Sequence, residues 1–164
     1  MALAAYGGRG GLAFGIMENN ATSLEQLLVS LKGATTTKQP SPVESWNPAH
    51  CGDIGLEILR DGGWRHEGVR ITRESLVRLF ASILRKDGDG ETYLVTPVEK
   101  IRVRVEDAPF LAVRVDRAGL ADQQQLIFTT NMGDVVAAGP DHPIRVRFDP
   151  ETAEPRPYVL VRGG

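Results

Sequence analysis

The chemistry this chain could perform is concentrated in WNPAHCGDI, Trp46 to Ile54, its densest run of polar and aromatic residues. A cysteine attacks only as its thiolate, so a nucleophilic Cys51 requires a histidine to take the proton and an acid such as Asp53 to hold that histidine. His50 is adjacent, and adjacent side chains of an extended backbone face opposite ways, so the base would have to be His66 or His142. The competing reading, favoured by that geometry, makes Cys51 a buried and unreactive packing residue. A zinc site is disfavoured because one cysteine and three scattered histidines have no paired-ligand spacing, and no metal or cofactor is expected. Pro48 biases Asn47 away from helix and Gly52 frees the backbone, as in an ordered loop beside a ligand.

The segment that must position this loop follows it: Trp64 to Lys100 reads as a strand, a helix and a second strand. Leu76, Leu79, Phe80, Ile83 and Leu84 recur at helical spacing and form one apolar stripe. Thr72 is the expected N-cap, Glu74 suits the positive helix start, Arg85 and Lys86 suit its negative end, and Asp87-Gly88 stops it. Asp61-Gly62-Gly63 makes a turn before the unit, and Thr92 to Val95 is rich in β-branched and aromatic types, which gives a β-β-α-β order.

Beyond Thr96-Pro97 the chain alternates strictly, with Ile101, Val103 and Val105 on one face and Arg102, Arg104 and Glu106 on the other. If Phe110 to Asp116 folds back across Asp107-Ala108-Pro109, Val103 meets Val113 and Arg102 sits opposite Arg114, a like-charge pair that asks for acidic neighbours or an anion. A faint echo supports an anion-binding plate of arginines: TPVEKIRVRVEDAP from Thr96 resembles GPDHPIRVRFDPET from Gly139, placing Arg145 and Arg147 outward in a second strand. A solvated face neutralised by Asp and Glu is the alternative. Between these, Gln124 to Thr130 reads as a strand, Asp134 to Ala138 as a brief helix capped by Asn131, and Tyr158 to Val161 as a last strand.

Upstream, Leu24, Leu27, Leu28 and Leu31 define a short helix that must dock, either on its own domain or on a partner, and ATTTKQPSP reads as a linker. The opening MALAAYGGRGGLAFGI is broken by Gly and Arg9 into pieces too short for a signal-peptide core and is expected to be disordered; Met17 is a second candidate start. The organisation expected is therefore a disordered tail over 1–22, a helix and linker over 23–40, a first α+β domain over 41–99 and a second, mostly β domain over 100–164.

Composition limits the functions open to such a chain. With 19 Lys plus Arg against 21 Asp plus Glu, there is no global positive charge to gather counterions from nucleic acid, so any such contact must be local. The single cysteine suits a reducing cytoplasm. No apolar run reaches the roughly 18 to 20 residues of a membrane-spanning helix, and no membrane partner is expected.

WNPAHCGDI, DGGWRHEGVRITRESLVRLFASILRKDG, LVTPVEK, DAPF and TNMGDVVAAGPDHPIRV together, in that order, resemble the bacterial domain of unknown function 1285 over Ser41 to Gly164. The resemblance implies an α+β fold of two small antiparallel-sheet domains with a duplicated β-β-α-β-like motif and a pleckstrin-homology-like second half. Members usually continue past the equivalent of Gly164, so the second half is expected to be truncated or minimal and to expose apolar surface. For function it implies a signal-transduction role and a nucleotide-like or nucleic-acid-like ligand held where the halves meet. The positions matching the family's motifs are Trp46, Asn47, Cys51 and Asp53, then Thr96, Glu99 and Lys100, then Asn131, Asp134 and His142. Lys100 could pair a phosphate, Trp46 could stack on a base, and Asp53 or Glu99 could accept from an amine or ribose hydroxyl; equally, the tryptophan could be core and the charges ion pairs. The expectation is a non-catalytic cytoplasmic binding module. The alternatives are a Cys51-dependent enzyme, an adaptor binding a protein partner through the Leu24 to Leu31 helix, and, last, winged-helix DNA binding by Thr72 to Lys86.

Overall fold

The computed structural model describes residues 2–5, 24, 27–29, 42–120 and 123–162. In chain order the elements are β1 (Ala2–Ala5), a 3-10 turn (Val43–Ser45), β2 (His50–Ile58), β3 (Trp64–His66), β4 (Val69–Arg70), α1 (Glu74–Ser82), β5 (Leu84–Lys86), β6 (Thr92–Val95), β7 (Glu99–Val105), β8 (Phe110–Ala118), β9 (Gln125–Thr130), β10 (Val135–Ala137), β11 (Ile144–Phe148) and β12 (Pro155–Arg162). They make a mainly β, α+β chain of two compact units, each with its own six-stranded sheet. The helix-bearing unit comprises Gly10–Ile58 and Gly63–Val105; the strand unit comprises Met1–Arg9, Leu59–Gly62 and Glu106–Gly164. The division after Val105 differs from the expected one after Glu99, because β7 takes its partners on both sides from the helix-bearing unit.

In the helix-bearing unit the strand order is β4-β3-β2-β7-β6-β5. The sheet is mixed and not antiparallel throughout: β2 and β7 run parallel, and the intervening β3, β4, α1, β5 and β6 supply the long crossover that a parallel pair requires. The period-2 alternation of β7 places Ile101 and Val103 on the face that carries Leu56, Ile58, Trp64 and Leu94, all buried. Phe80 and Ile83 are wholly buried, and the Phe80 ring lies 5.9 Å from that of Trp64, so the helical stripe does commit to this core.

The ends of α1 differ from expectation. Arg73, not Thr72, is the N-cap, with no side-chain capping bond. The helix closes at Ser82, and Leu84, Arg85 and Lys86 form a strand opposite Leu94, Tyr93 and Thr92. Asp87-Gly88 is therefore the turn of a hairpin and not a helix stop, closed by Gly90 N donating to Asp87 O at 3.0 Å. Cross-strand pairing overrides the helical preference of Leu-Arg-Lys here. The upstream leucine helix lies partly within the described residues: Leu24 and 27–29 are helical and Leu27 is fully buried, while Leu31 lies outside them.

The strand unit orders its sheet β10-β9-β8-β1-β12-β11 and holds no α-helix among the described residues. Asp134 to Ala138, expected to be helical, contains the strand β10 instead, whose Val135, Val136 and Ala137 pair with Thr129, Phe128 and Ile127. The hairpin expected between β7 and β8 does not form. The strand β8 pairs with β9 and β1, and Arg102 and Arg114 lie in different sheets, each beside its own carboxylate, Glu91 and Asp116. The two I-R-V-R strands likewise belong to separate sheets, β7 to that of the helix-bearing unit and β11 to that of the strand unit. Part of the tail expected to be disordered is also ordered: Ala2–Ala5 lies between β8, which it parallels, and β12, which it opposes. The rest of 1–22 is outside the described residues.

Candidate functional site

In the helix-bearing unit the sheet face opposite the core carries a chain of charges. Arg85 Nε donates to Asp87 Oδ1 at 2.6 Å, and its Nη1 ties the carbonyls of Val43 and Trp46, both at 2.6 Å. Lys100 Nζ reaches Asp87 Oδ2 at 2.9 Å and sits 4.3 Å from the centre of the Tyr93 ring, whose hydroxyl donates to Asp89 at 2.8 Å. The hydrogen bond from Arg85 is the main cause holding the Asp87 carboxyl below its ordinary range; burial opposes it and Lys100 reinforces it. Lys100 is raised mainly by its bond to Asp87, and Tyr93 mainly by its bond to Asp89. Cys51 pairs in register with Lys100 and Asp53 with Arg102. Contrary to the expected burial, Cys51 is exposed: it lies on the outer face of β2, and it has no bond to a described histidine.

Of the remaining expected residues here, Thr96 and Asp53 serve the backbone, and the Glu99 side chain is buried. The hydroxyl of Thr96, fully buried, bonds Glu99 O at 3.1 Å and accepts from the N–H groups of Val98 and Glu99, closing the turn into β7. Asp53 Oδ1 accepts from Gly55 N at 2.9 Å beside the β2 irregularity, where Gly55 has φ +70°. Trp46 is half-buried and Asn47 exposed. Thus Cys51, Lys100 and, through Arg85, the Trp46 backbone converge, but as a self-satisfied network. Sequence reasoning missed Arg85, Asp87, Asp89 and Tyr93; the Asp-Gly-Asp-Gly run was their signal, and it was absorbed into a helix end.

In the strand unit, Asn131 is a brace, with Oδ1 accepting from Leu111 N at 3.1 Å and Nδ2 donating to Gly62 O at 3.3 Å. Asp134 and His142 have another setting. Asp134 takes a bidentate fork from Arg162, with Nη2 at 2.7 and 2.9 Å and Nε at 3.0 Å, and the Thr130 hydroxyl bonds its Oδ2 at 3.1 Å. The Arg162 guanidinium also lies 4.7 Å from the centre of the buried Phe110 ring. Arg162 and His142 line one open cleft of about 370 Å³ formed by the 140–143 turn and Leu160–Arg162 of β12. His142 Nδ1 lies 2.8 Å from the Leu160 carbonyl; a carbonyl only accepts, so Nδ1 carries the proton and Nε2 is left as an acceptor. Arg162 and Asp141 were the members of this group that sequence reasoning missed, Arg162 because VLVRGG reads only as a closing strand and Asp141 because it reads as part of a proline-bounded turn.

Among the described residues no three His, Cys, Asp or Glu side chains are grouped to hold a metal ion, and no helix is long and apolar enough to cross a membrane. Fold and sites define a two-unit, mainly β protein with a small polar cleft in the strand unit and an ion-paired sheet face in the other. Residues 41–108 match the domain of unknown function DUF1285, N-terminal domain, and residues 109–164 match the protein of unknown function DUF1285, C-terminal domain. The chain belongs to the DUF1285 family. It is similar to the crystal structure of a DUF1285 family protein from Silicibacter pomeroyi DSS-3, at 51% identity and TM-score 0.76, over 84% of this chain and 74% of that one. It is also similar to a DUF1285 family protein from Shewanella baltica OS155, at 31% identity and TM-score 0.49, over 66% of this chain and 77% of that one. No curated protein matches.

Proposed function

We propose that this chain is a non-catalytic binding module whose strand unit takes a small phosphate- or carboxylate-bearing ligand of nucleotide-like character. The observation that carries the reading is the cleft of about 370 Å³ in which Arg162, oriented by Asp134, and His142, oriented by the Leu160 carbonyl, stand with Asp141 on walls of proline, leucine and valine. Its size falls within the range of small-molecule sites, and a few oriented polar groups on apolar walls are what such sites use for specificity. A planar guanidinium suits the oxygens of a phosphate or carboxylate, and the Nε2 acceptor of His142 suits a hydroxyl or amino donor on the same ligand. Binding without turnover fits a signalling role, and the single cysteine fits a cytoplasmic setting. The I-R-V-R echo supports an ancient duplication, with a pleckstrin-homology-like second half as its product.

The test is a thermal-shift screen against nucleotides, dinucleotides and small dicarboxylates, repeated on His142→Ala and Arg162→Lys. A specific ligand at 100 times its Kd adds about 2.7 kcal/mol to apparent stability, and either substitution should remove most of that gain. A panel with no effect, or a gain that survives both substitutions, sinks the reading.

A further inference from the structure

The edge strand β11 offers a second recognition surface, and its backbone can be assigned from the prolines opposite it. In an antiparallel ladder, pairs that exchange hydrogen bonds alternate with pairs that do not. Leu160 N donates to Pro143 O at 3.2 Å and Asp149 N to Glu154 O at 2.9 Å, so the bonded positions are 143, 145, 147 and 149. Val146 and Phe148 face Pro157 and Pro155, which have no N–H to give, and this agrees with that phase. The N–H and C=O groups of Ile144, Val146 and Phe148 therefore point away from β12 to the open edge of the sheet, where no described strand pairs with them.

Both faces of this edge are exposed too. Ile144, Val146 and Phe148 project from one face at 41%, 51% and 68% exposure, and Arg145 and Arg147 from the other. Among the described residues neither arginine has an acidic partner; Arg147 lies over the Tyr158 ring, and the nearby carboxylate of Asp149 is bonded to Arg156. An unpaired edge with strict apolar and basic alternation, with no bulge in its register to β12 and no proline from Ile144 to Phe148, is a template for strand addition by a segment that neutralises its arginines.

We infer that β11 accepts an extended peptide segment in which apolar and acidic residues alternate, added as a seventh strand to the sheet. The apolar side chains of the segment would lie beside Ile144, Val146 and Phe148 and its carboxylates beside Arg145 and Arg147, on opposite faces as the pleat demands. A second copy of this chain fits less well, because a two-fold pairing centred anywhere from Arg145 to Arg147 sets arginine opposite arginine. This surface is separate from the ligand cleft and does not depend on it.

The experiment measures fluorescence anisotropy of a capped seven-residue peptide alternating valine and glutamate, with its valine and lysine counterpart as control, against the full chain at physiological salt. The acidic peptide should bind about tenfold or more tightly than the basic one, and the double change Arg145→Glu with Arg147→Glu should reverse that order. Val146→Pro removes an N–H that the β12 ladder does not use, so it should abolish binding while leaving the thermal midpoint close to that of the parent. Should Val146→Pro fail to fold, an acidic peptide N-methylated at alternate residues replaces it and should not bind the parent chain. Equal binding of both peptides, no binding of either, or retention of binding by Val146→Pro or the N-methylated peptide overturns the inference. So does a dimer of the parent chain that Val146→Pro dissolves, since the edge would then belong to a second copy.

Discussion

Phe80→Ala is the sharpest test of the core on which the helix-bearing unit depends. The ring is fully buried, lies 5.9 Å from the equally buried Trp64, and belongs to the face completed by Leu94, Ile101 and Val103. Truncation there removes the transfer free energy of the ring and leaves a cavity, for an expected loss of about 3–5 kcal/mol. Both tryptophans of the chain, Trp46 and Trp64, are in the helix-bearing unit, so tryptophan emission during urea unfolding follows that unit alone. With an m-value of about 1.5–2 kcal/mol per molar, the midpoint should fall by roughly 2 M. Val69→Ala is the control, because Val69 is 71% exposed in the same unit and should change stability by less than about 0.5 kcal/mol. If Phe80→Ala proves too unstable to fold, Phe80→Leu should still cost about 1 kcal/mol or more. A cost for Phe80→Ala below about 1 kcal/mol, or one matched by Val69→Ala, would refute the assignment of α1 to this core.

Other outcomes follow from the same contacts. Gly62 has φ +79°, and a Cβ there would stand 2.7 Å from Asn131 Nδ2 and 3.2 Å from Leu111 Cβ, so Gly62→Ala should cost roughly 2–4 kcal/mol in calorimetry through strain and the disturbed Asn131 brace. Gly90→Ala, at φ +87° but with open space around it, should cost only about 1 kcal/mol; equal effects would show that the Asn131 contact is immaterial. The lowered Asp87 carboxyl contributes stability that is complete above its ordinary value of 3.8 and is lost as pH falls through the depressed folded value. Asp87→Asn should therefore destabilise the unit at neutral pH and flatten its unfolding profile between about pH 5 and pH 2; an unchanged acid limb would assign acid sensitivity elsewhere.

Much of the fold was legible because it rests on local periodicity. The apolar stripe ending in Phe80 and Ile83 could serve only a helix with one buried face, and Ile101 to Val105 could serve only a half-buried strand, and both are what the chain forms. Leu84 to Lys86 was misread because a good helix former at the end of a helix continues it unless a neighbouring strand claims it, and that claim comes from Thr92 to Leu94. The polar network of Arg85, Asp87 and Lys100 was hidden for the same reason, since a hairpin turn and a helix stop share the letters Asp-Gly. Asp134 and His142 were marked by motif, yet their companion Arg162 was not, because it acts from the end of a strand 28 residues from Asp134.

The sequence by itself determined that Leu76 to Phe80 belong to a helix with one buried face and Ile101 to Val105 to a half-buried strand, because those are properties of side chains a few positions apart. It also determined that no global basic charge and no apolar spanning helix define this chain. Which strands become neighbours was decided only by the tertiary structure, because pairing energy depends on partners far along the chain. That decision sends β7 to β2 and β6 and gives β8 to another sheet, leaves Cys51 on an exposed face, brings Arg162 onto Asp134, and sets prolines against β11 so that its free groups point outward.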